Sequence, residues 1–172
     1  MGYPRVMLSG AVLCVLLLNG SVFAQISSSW LNPVDGNWID AANWSTNPDA
    51  PNNDSPNPGD VYDVTIDATG APYQATLDTD VTLRNLTLNS LDATLWQTSN
   101  LVIQDTFAVD SGTYRLHSGS LTGGTLMVNS AAIAQIHRAV VTDVVMAGEF
   151  QVVDNGSNRD GGLCGADYEY RI

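Results

Sequence analysis

Apolar and polar residues alternate along much of the chain after residue 61, in short runs separated by Ser-Gly, Gly-Gly or Asn-Ser turns. Alternation with a period of two is typical of β-strands, because successive side chains of a strand point to opposite faces. The runs are VYDVTIDA, ATLDTDVTLRNLTL, DATLWQ, NLVIQDTFAVD, GTYRLHSGSL, GTLMVN, AAIAQIHRAVV, TDVVMAG and EFQVVD. The pattern predicts an all-β protein.

Two all-β architectures fit these runs. Short strands separated by frequent turns are typical of an antiparallel β-sandwich or a barrel. A parallel β-solenoid competes, because four similar segments recur: NLTL at Asn85, NLVI at Asn100, TLMV at Thr125 and VVM at Val144. The intervals between these segments are unequal, but the Thr, Asn, Ser, Asp and Gly residues between them suit stacked turns. We expect the β-solenoid, with the antiparallel β-sandwich as the alternative.

Residues 27–59 show neither a strand period nor a helix period. Asn-Pro, Asp-Gly and Pro-Gly pairs dominate this stretch, which favours turns, yet it carries three of the four tryptophans. We expect a cap and acidic loop over residues 25–60, solenoid turns over residues 61–154 and an irregular tail over residues 155–172.

Residues 1–24 resemble a secretory signal peptide. Arg5 supplies the positive region, an apolar run spans residues 11–18, and small residues precede a cleavage point after Ala24. Cys14 follows Leu13 where a lipoprotein signal requires a small residue, so lipidation is not expected. No later segment has the roughly 20 apolar residues of a membrane helix. We therefore expect an exported protein, secreted or on the cell surface, with no transmembrane helix in the mature chain.

The charge balance is strongly acidic, with 18 Asp and Glu against 6 Lys and Arg and a net charge of −12. All six cations are arginines, and the acidic residues all follow residue 24. Nucleic-acid binding needs clustered cations that release counterions from phosphates, so this class of partner is excluded.

Cys164 is the only cysteine after residue 24, so the mature chain cannot form an internal disulfide. Pairing between chains is a secondary hypothesis.

A further set of residues occurs in a recognisable order over about residues 28–105. The set is Trp30, Gly36, Trp38, Asn43, Trp44, Ser45, Pro56, Gly59, Asp60, Asp63, Leu77, Asp78, Val81, Leu86 and Leu88. It resembles the N-terminal entry to the repeats of bacterial cell-surface β-solenoid proteins with autotransporter-type or β-strand-repeat passenger domains. The resemblance implies a right-handed parallel β-solenoid on an exported surface protein. Because such proteins are usually longer, we expect a truncated member.

The tryptophans allow two interpretations. Trp30, Trp38 and Trp44, with Trp96 further along the chain, would suit a sugar-stacking platform. The interpretation we favour is that the first three fold over the first turn and cover its apolar end, since a solenoid end must be covered.

Carboxylates also suggest a metal site near the N-terminus. Hard oxygen ligands suit Ca²⁺, but neither the EF-hand spacing nor a calcium-binding nonapeptide repeat is present. We expect a solvated acidic loop and no cofactor, with Ca²⁺ as the alternative. The residues concerned are Asp35, Asp40, Asp49, Asp54, Asp60, Asp63 and Asp67, of which Asp35, Asp40, Asp60 and Asp63 are the alternative metal ligands.

A catalytic pair is a weaker hypothesis. Asp78 and Asp80 in LDTD would share one strand face, and glycoside hydrolysis uses two carboxylates. Polysaccharide lyases on β-solenoids favour a Lys or Arg base. This chain has no lysine, and the available arginines are scattered along the sequence. These arginines are Arg84, Arg115 and Arg138.

The interval between the two histidines, His117 and His137, is close to the length of one or two turns, so they would stack on one face. A zinc site needs further ligands that the sequence does not supply at a fixed spacing. We therefore interpret both as surface or turn residues.

Taken together, these features predict an exported structural or adhesin-like protein without catalytic activity. Its partner would be a cell-surface or extracellular glycan or protein. The alternative is a carbohydrate-binding module or a remnant polysaccharide-active enzyme.

Overall fold

The computed structural model describes residues 24–154 and 157–158. It shows parallel strands stacked as a β-solenoid of about four turns. The predicted parallel β-solenoid is therefore confirmed, and the antiparallel β-sandwich is wrong. The proposed signal peptide up to residue 23, both cysteines and most of the proposed tail lie outside the described residues.

Almost all of the described secondary-structure elements are β-strands. The described strands are β1 Gln25–Ser29, β2 Gly36–Asn37, β3 Val61–Ile66, β4 Tyr73–Leu77, β5 Val81–Gln97, β6 Leu101–Leu116, β7 Ser120–Thr122, β8 Thr125–Val128, β9 Ala132–Ile136, β10 Val140–Thr142, β11 Val145–Gly148, β12 Gln151–Asp154 and β13 Ser157–Asn158. A short 3₁₀ helix, Ala41–Asn43, lies between β2 and β3. Among the described residues, no helix is long and apolar enough to cross a membrane.

The strand pairings divide the solenoid into three faces. The first face consists of the beginnings of β5 and β6, followed by β7 and β10. The second face consists of β1, β3, the middle parts of β5 and β6, then β8 and β11. The third face consists of β2, β4, the ends of β5 and β6, then β9 and β12. Each complete turn therefore passes through the three faces in the same order.

The pairing register reveals a regular repeat, which the four similar segments of the sequence did not show. On the second face, Leu86 pairs with Phe107, Phe107 with Leu126 and Leu126 with Met146, so partners lie about twenty positions apart at every step. The segments compared in the sequence gave unequal intervals because they lie on different faces. The segment at residue 85 is on the second face, whereas the segment at residue 100 begins the first face.

The core forms because each strand alternates between inward and outward side chains. In β3, Tyr62, Val64 and Ile66 are buried, and the residues between them are partly exposed. Inward residues of successive turns stack directly, as Val64 does on Leu86. Apolar alternation in short segments thus becomes a continuous apolar column once the turns are stacked.

The turns need glycine where one corner lies close to the backbone of the preceding turn. Gly112, within β6, has a φ of +86°, and a Cβ placed on it would lie 2.2 Å from the carbonyl oxygen of Ser90. Only glycine avoids both the left-handed strain and this contact. The bend inside β6 therefore depends on this residue.

The N-terminal segment differs from the loop that the sequence predicted for residues 27–59. β1 pairs in parallel with β3, from Gln25 opposite Val61 to Ser29 opposite Thr65, and β2 pairs with β4. Solenoid pairing therefore begins at residue 25. The sequence missed β1 because its residues, QISSS, contain a single large apolar side chain.

Candidate functional site

Three tryptophans follow the first short elements of the chain and meet inside the solenoid. Trp30, Trp38 and Trp44 are 2%, 1% and 0% exposed. The ring centroids of Trp30 and Trp44 lie 4.9 Å apart in an edge arrangement, and those of Trp38 and Trp44 lie 4.5 Å apart. Their aromatic faces therefore contact each other and the core, and none is available to stack on a sugar.

Hydrogen bonds fix two of these indoles. Trp38 Nε1 donates to the carbonyl oxygen of Pro51 at 2.9 Å, and Trp44 Nε1 donates to the carbonyl oxygen of Trp38 at 2.8 Å. Buried tryptophan N–H groups usually need such partners. The cluster thus joins the loop at Pro51 to the first strands.

Two acidic residues of the N-terminal segment accept hydrogen bonds from backbone N–H groups of the chain. Asp35 Oδ1 accepts a hydrogen bond from the N–H of Gln74 at 2.7 Å. Asp60 Oδ2 accepts one from the N–H of Asn57 at 3.2 Å. A third alternative ligand, Asp40, precedes the 3₁₀ helix without a side-chain capping bond. Across residues 24–154, no group of three or more His, Cys, Asp or Glu side chains is placed to hold a metal ion.

Asp63 occupies an outward position in β3 and connects three turns. Its carboxylate accepts hydrogen bonds from Arg84 Nε and Asn85 Nδ2, both at 2.9 Å, and it forms a salt bridge with Arg84. Gln25 of β1 also donates to it. Partial burial acts to raise the pKa of Asp63, but these hydrogen bonds outweigh it and lower the pKa. A carboxylate held in this way stabilises the stack.

The prediction that Asp78 and Asp80 share a strand face is wrong. Both are exposed and lie in the turn between β4 and β5, because β4 ends at Leu77. Asp78 Oδ1 accepts from the N–H of Ile39 at 3.3 Å, whereas Asp80 Oδ1 accepts from the N–H of Asn100 at 2.9 Å. The two carboxylates therefore bond to opposite neighbouring turns.

The charge state of Asp80 also bears on catalysis. Hydrogen bonds from the backbone and the side chain of Asn100 lower the pKa of Asp80. A general acid requires a pKa raised toward neutrality. This carboxylate stays ionised and does not match that role.

A different group of side chains meets on the outer surface of the third face. We call Trp96, Arg115, His117 and His137 the third-face strip. The rings of Trp96 and His117 stack with their centroids 4.5 Å apart, and those of His117 and His137 lie 5.6 Å apart. The guanidinium carbon of Arg115 lies 5.8 Å from the centroid of Trp96, within the range of a cation–π interaction.

Two polar atoms of the strip have no hydrogen-bond partner among the described residues. They are Arg115 Nε and His137 Nε2, and both atoms are buried. Burial, followed by the charges of His117 and Arg115, lowers the pKa of His137. The strip therefore keeps unused hydrogen-bonding capacity beside a partly exposed indole.

Sequence reasoning recovered this strip only in part. It placed the two histidines on one face. It did not connect Arg115 with any other residue, and it grouped Trp96 with the three buried tryptophans. The available signal was the repeat of about twenty positions, because Trp96 pairs with Arg115 and Arg115 with Gln135 in successive turns.

No family model matches the chain. Neither curated proteins nor solved structures contain a match.

Proposed function

We propose that the chain is an exported structural protein of the adhesin-like type, which presents a surface and has no catalytic activity. The observation that carries this proposal is that its carboxylates form hydrogen bonds within the fold. Asp63, Asp78 and Asp80 each accept hydrogen bonds from a neighbouring turn. Carboxylates engaged in this way stabilise the stack, and those of Asp63 and Asp80 have lowered pKa values.

The position of the first strand supports export. β1 begins at Gln25, directly after the proposed cleavage point at Ala24. Removal of residues 1–24 would leave every described strand intact, although the hydrogen bond from the N–H of Val61 to the oxygen of Ala24 would be lost. The acidic composition favours solubility.

Reducing-sugar release tests the absence of catalysis. The purified chain is incubated with a panel of polysaccharides, and new reducing ends are measured together with unsaturated products. We expect neither product. Sugar release that Asp78→Asn or Asp80→Asn abolishes, while Asp40→Asn leaves it unchanged, would refute the proposal.

Localisation of an epitope-tagged full chain tests export. We expect the tag in the medium or on the cell surface, with residues 1–24 removed. Retention of an uncleaved chain inside the cell would contradict export.

A carbohydrate-binding module is the second candidate function, and the third-face strip is the observation that favours it. Trp96 is partly exposed and sits beside polar and cationic side chains. A glycan array separates the two candidates, because a purely structural protein gives no specific signal.

A further inference from the structure

The outer surface of the third face lacks acidic side chains over its later turns. The outward positions of its strands there are Thr94, Trp96, Thr113, Arg115, Ile133, Gln135 and Gln151. None of these described positions carries Asp or Glu, although the chain has 18 acidic residues. Asp92 lies in β5 just before Thr94, and Asp78 lies in the turn after β4; each accepts a hydrogen bond from a backbone N–H group. These outward positions therefore carry less negative charge than the chain as a whole.

One cation, Arg115, lies at the same place together with two imidazole side chains. Arg115 lies in β6, and His117 and His137 follow the ends of β6 and β9. Arg84 is paired with Asp63, whereas Arg115 forms no salt bridge within the described part of the chain. Unpaired guanidinium groups bind carboxylates in a planar, two-pronged geometry. Charge complementarity thus points to an anionic ligand.

The aromatic side chain beside Arg115 narrows the ligand class. Trp96 is partly exposed, whereas the other three tryptophans are buried. His117 stacks against the indole and holds its orientation. A fixed indole offers an apolar platform with polar groups around it, which is the arrangement that a sugar ring requires, since the ring has both apolar C–H faces and hydroxyl groups.

The unpartnered atoms supply the remaining observation. Buried polar atoms normally have hydrogen-bond partners, so an exception needs an explanation. Arg115 Nε and His137 Nε2 are two such exceptions in one strip. Because both atoms are buried, a ligand carboxylate and hydroxyl would satisfy them only after the two side chains rotate.

We propose that the third-face strip binds a carboxylated saccharide, with the sugar ring against Trp96 and the carboxylate on Arg115. His117 holds the indole, and His137 Nε2 bonds to the ligand after its ring rotates toward the surface. The proposal rests on the second candidate function, carbohydrate binding, because it names the class of sugar that the third-face strip would take.

Binding of oligogalacturonate to the full chain, measured by isothermal titration calorimetry, tests the site. Maltohexaose serves as the neutral sugar, and dextran sulfate as the non-carboxylated polyanion. We expect oligogalacturonate to bind more tightly than either. Tryptophan fluorescence should change on binding, and this change should disappear in Trp96→Phe because the remaining indoles are buried.

Matched variants locate the binding. Arg115→Gln removes one charge and should weaken binding about tenfold, as expected for a hydrogen bond to a charged group. Arg84→Gln removes the same charge elsewhere and should leave the affinity unchanged. Thermal melting of each variant checks that it is folded.

Several results would overturn the proposal. These are equal binding of maltohexaose, equal binding of dextran sulfate, absence of oligogalacturonate binding, or a folded Arg115→Gln variant that binds like the parent. Failure here differs from failure of the proposed function. Release of sugar products refutes the non-catalytic role, whereas absence of binding refutes only the saccharide site.

Discussion

Tyr114 donates a hydrogen bond from its hydroxyl to Gln97 Oε1 at 2.7 Å, inside the solenoid, where both side chains are 0% exposed. Gln97 Nε2 in turn donates to the carbonyl oxygens of Ser99 and Ser120, at 2.8 and 2.7 Å. The side-chain amide of Gln97 thus uses both of its N–H groups and its oxygen. This bonding links the third face to the turn that leads into the next first-face strand.

We expect Gln97→Leu to lower the free energy of unfolding. The substitution leaves the Tyr114 hydroxyl and two carbonyl groups without this partner, and each buried unsatisfied group costs about 1–3 kcal/mol. Chemical denaturation measures the change. Gln135→Leu replaces a partly exposed glutamine on the same face and should change stability by less than about 0.5 kcal/mol. Equal effects of the two variants would contradict the role of Gln97.

The tryptophan cluster gives the second prediction. Trp38→Ala should lower the free energy of unfolding by about 3–5 kcal/mol, because it removes a buried indole and leaves a cavity. Differential scanning calorimetry measures the effect. Trp96→Ala, at a partly exposed position, should have a clearly smaller effect. Unchanged stability of Trp38→Ala together with lost glycan binding would show that Trp38 belongs to a binding site.

Asp63 predicts a dependence of stability on pH. Its folded pKa is lower than its ordinary value, so the unfolded chain binds the proton more readily. The stabilisation is therefore present above the unfolded pKa of about 3.9 and is lost as the pH falls through the folded pKa.

The variant Asp63→Asn should remove this contribution and lower stability at neutral pH by about 1 kcal/mol. Urea denaturation at several pH values measures both effects. Asp40→Asn, whose parent carboxylate makes no capping bond, is the control and should keep the acid dependence. An unchanged acid dependence in Asp63→Asn would show that other groups cause it.

Gly112 gives a prediction about the bend in β6. Gly112→Ala should lower the free energy of unfolding by more than about 1 kcal/mol, since its φ is positive and the new Cβ would meet the Ser90 carbonyl. Thermal melting compares it with Ser111→Ala, at the preceding position, which should melt close to the parent. A stable Gly112→Ala variant would mean that the corner has room to shift.

Calcium gives the last prediction. Asp35, Asp60 and Asp63 already accept hydrogen bonds from the chain, so we expect the same melting temperature in calcium and in chelator. A higher melting temperature in calcium would instead support a metal site in the acidic segment.

The limits of sequence reasoning are clearest at β1 and at Gln97. β1 is held to β3 by backbone pairing. Its serine-rich sequence therefore needs no apolar pattern and gave no signal of a strand. Gln97 continues the inward positions of Ala93 and Leu95, where alternation predicts an apolar residue. Its partners come from other turns and could not be read from its neighbours.

The all-β class and the alternation of inward and outward residues could be predicted from the sequence, because both depend on side chains two positions apart. Its composition, together with the family resemblance, also favoured the parallel solenoid. The tertiary structure set the register, and with it the contacts among the three buried tryptophans and the gathering of Trp96, Arg115, His117 and His137. The physical reason is that neighbouring turns lie about 4.8 Å apart, so residues some twenty positions apart in the chain become direct neighbours.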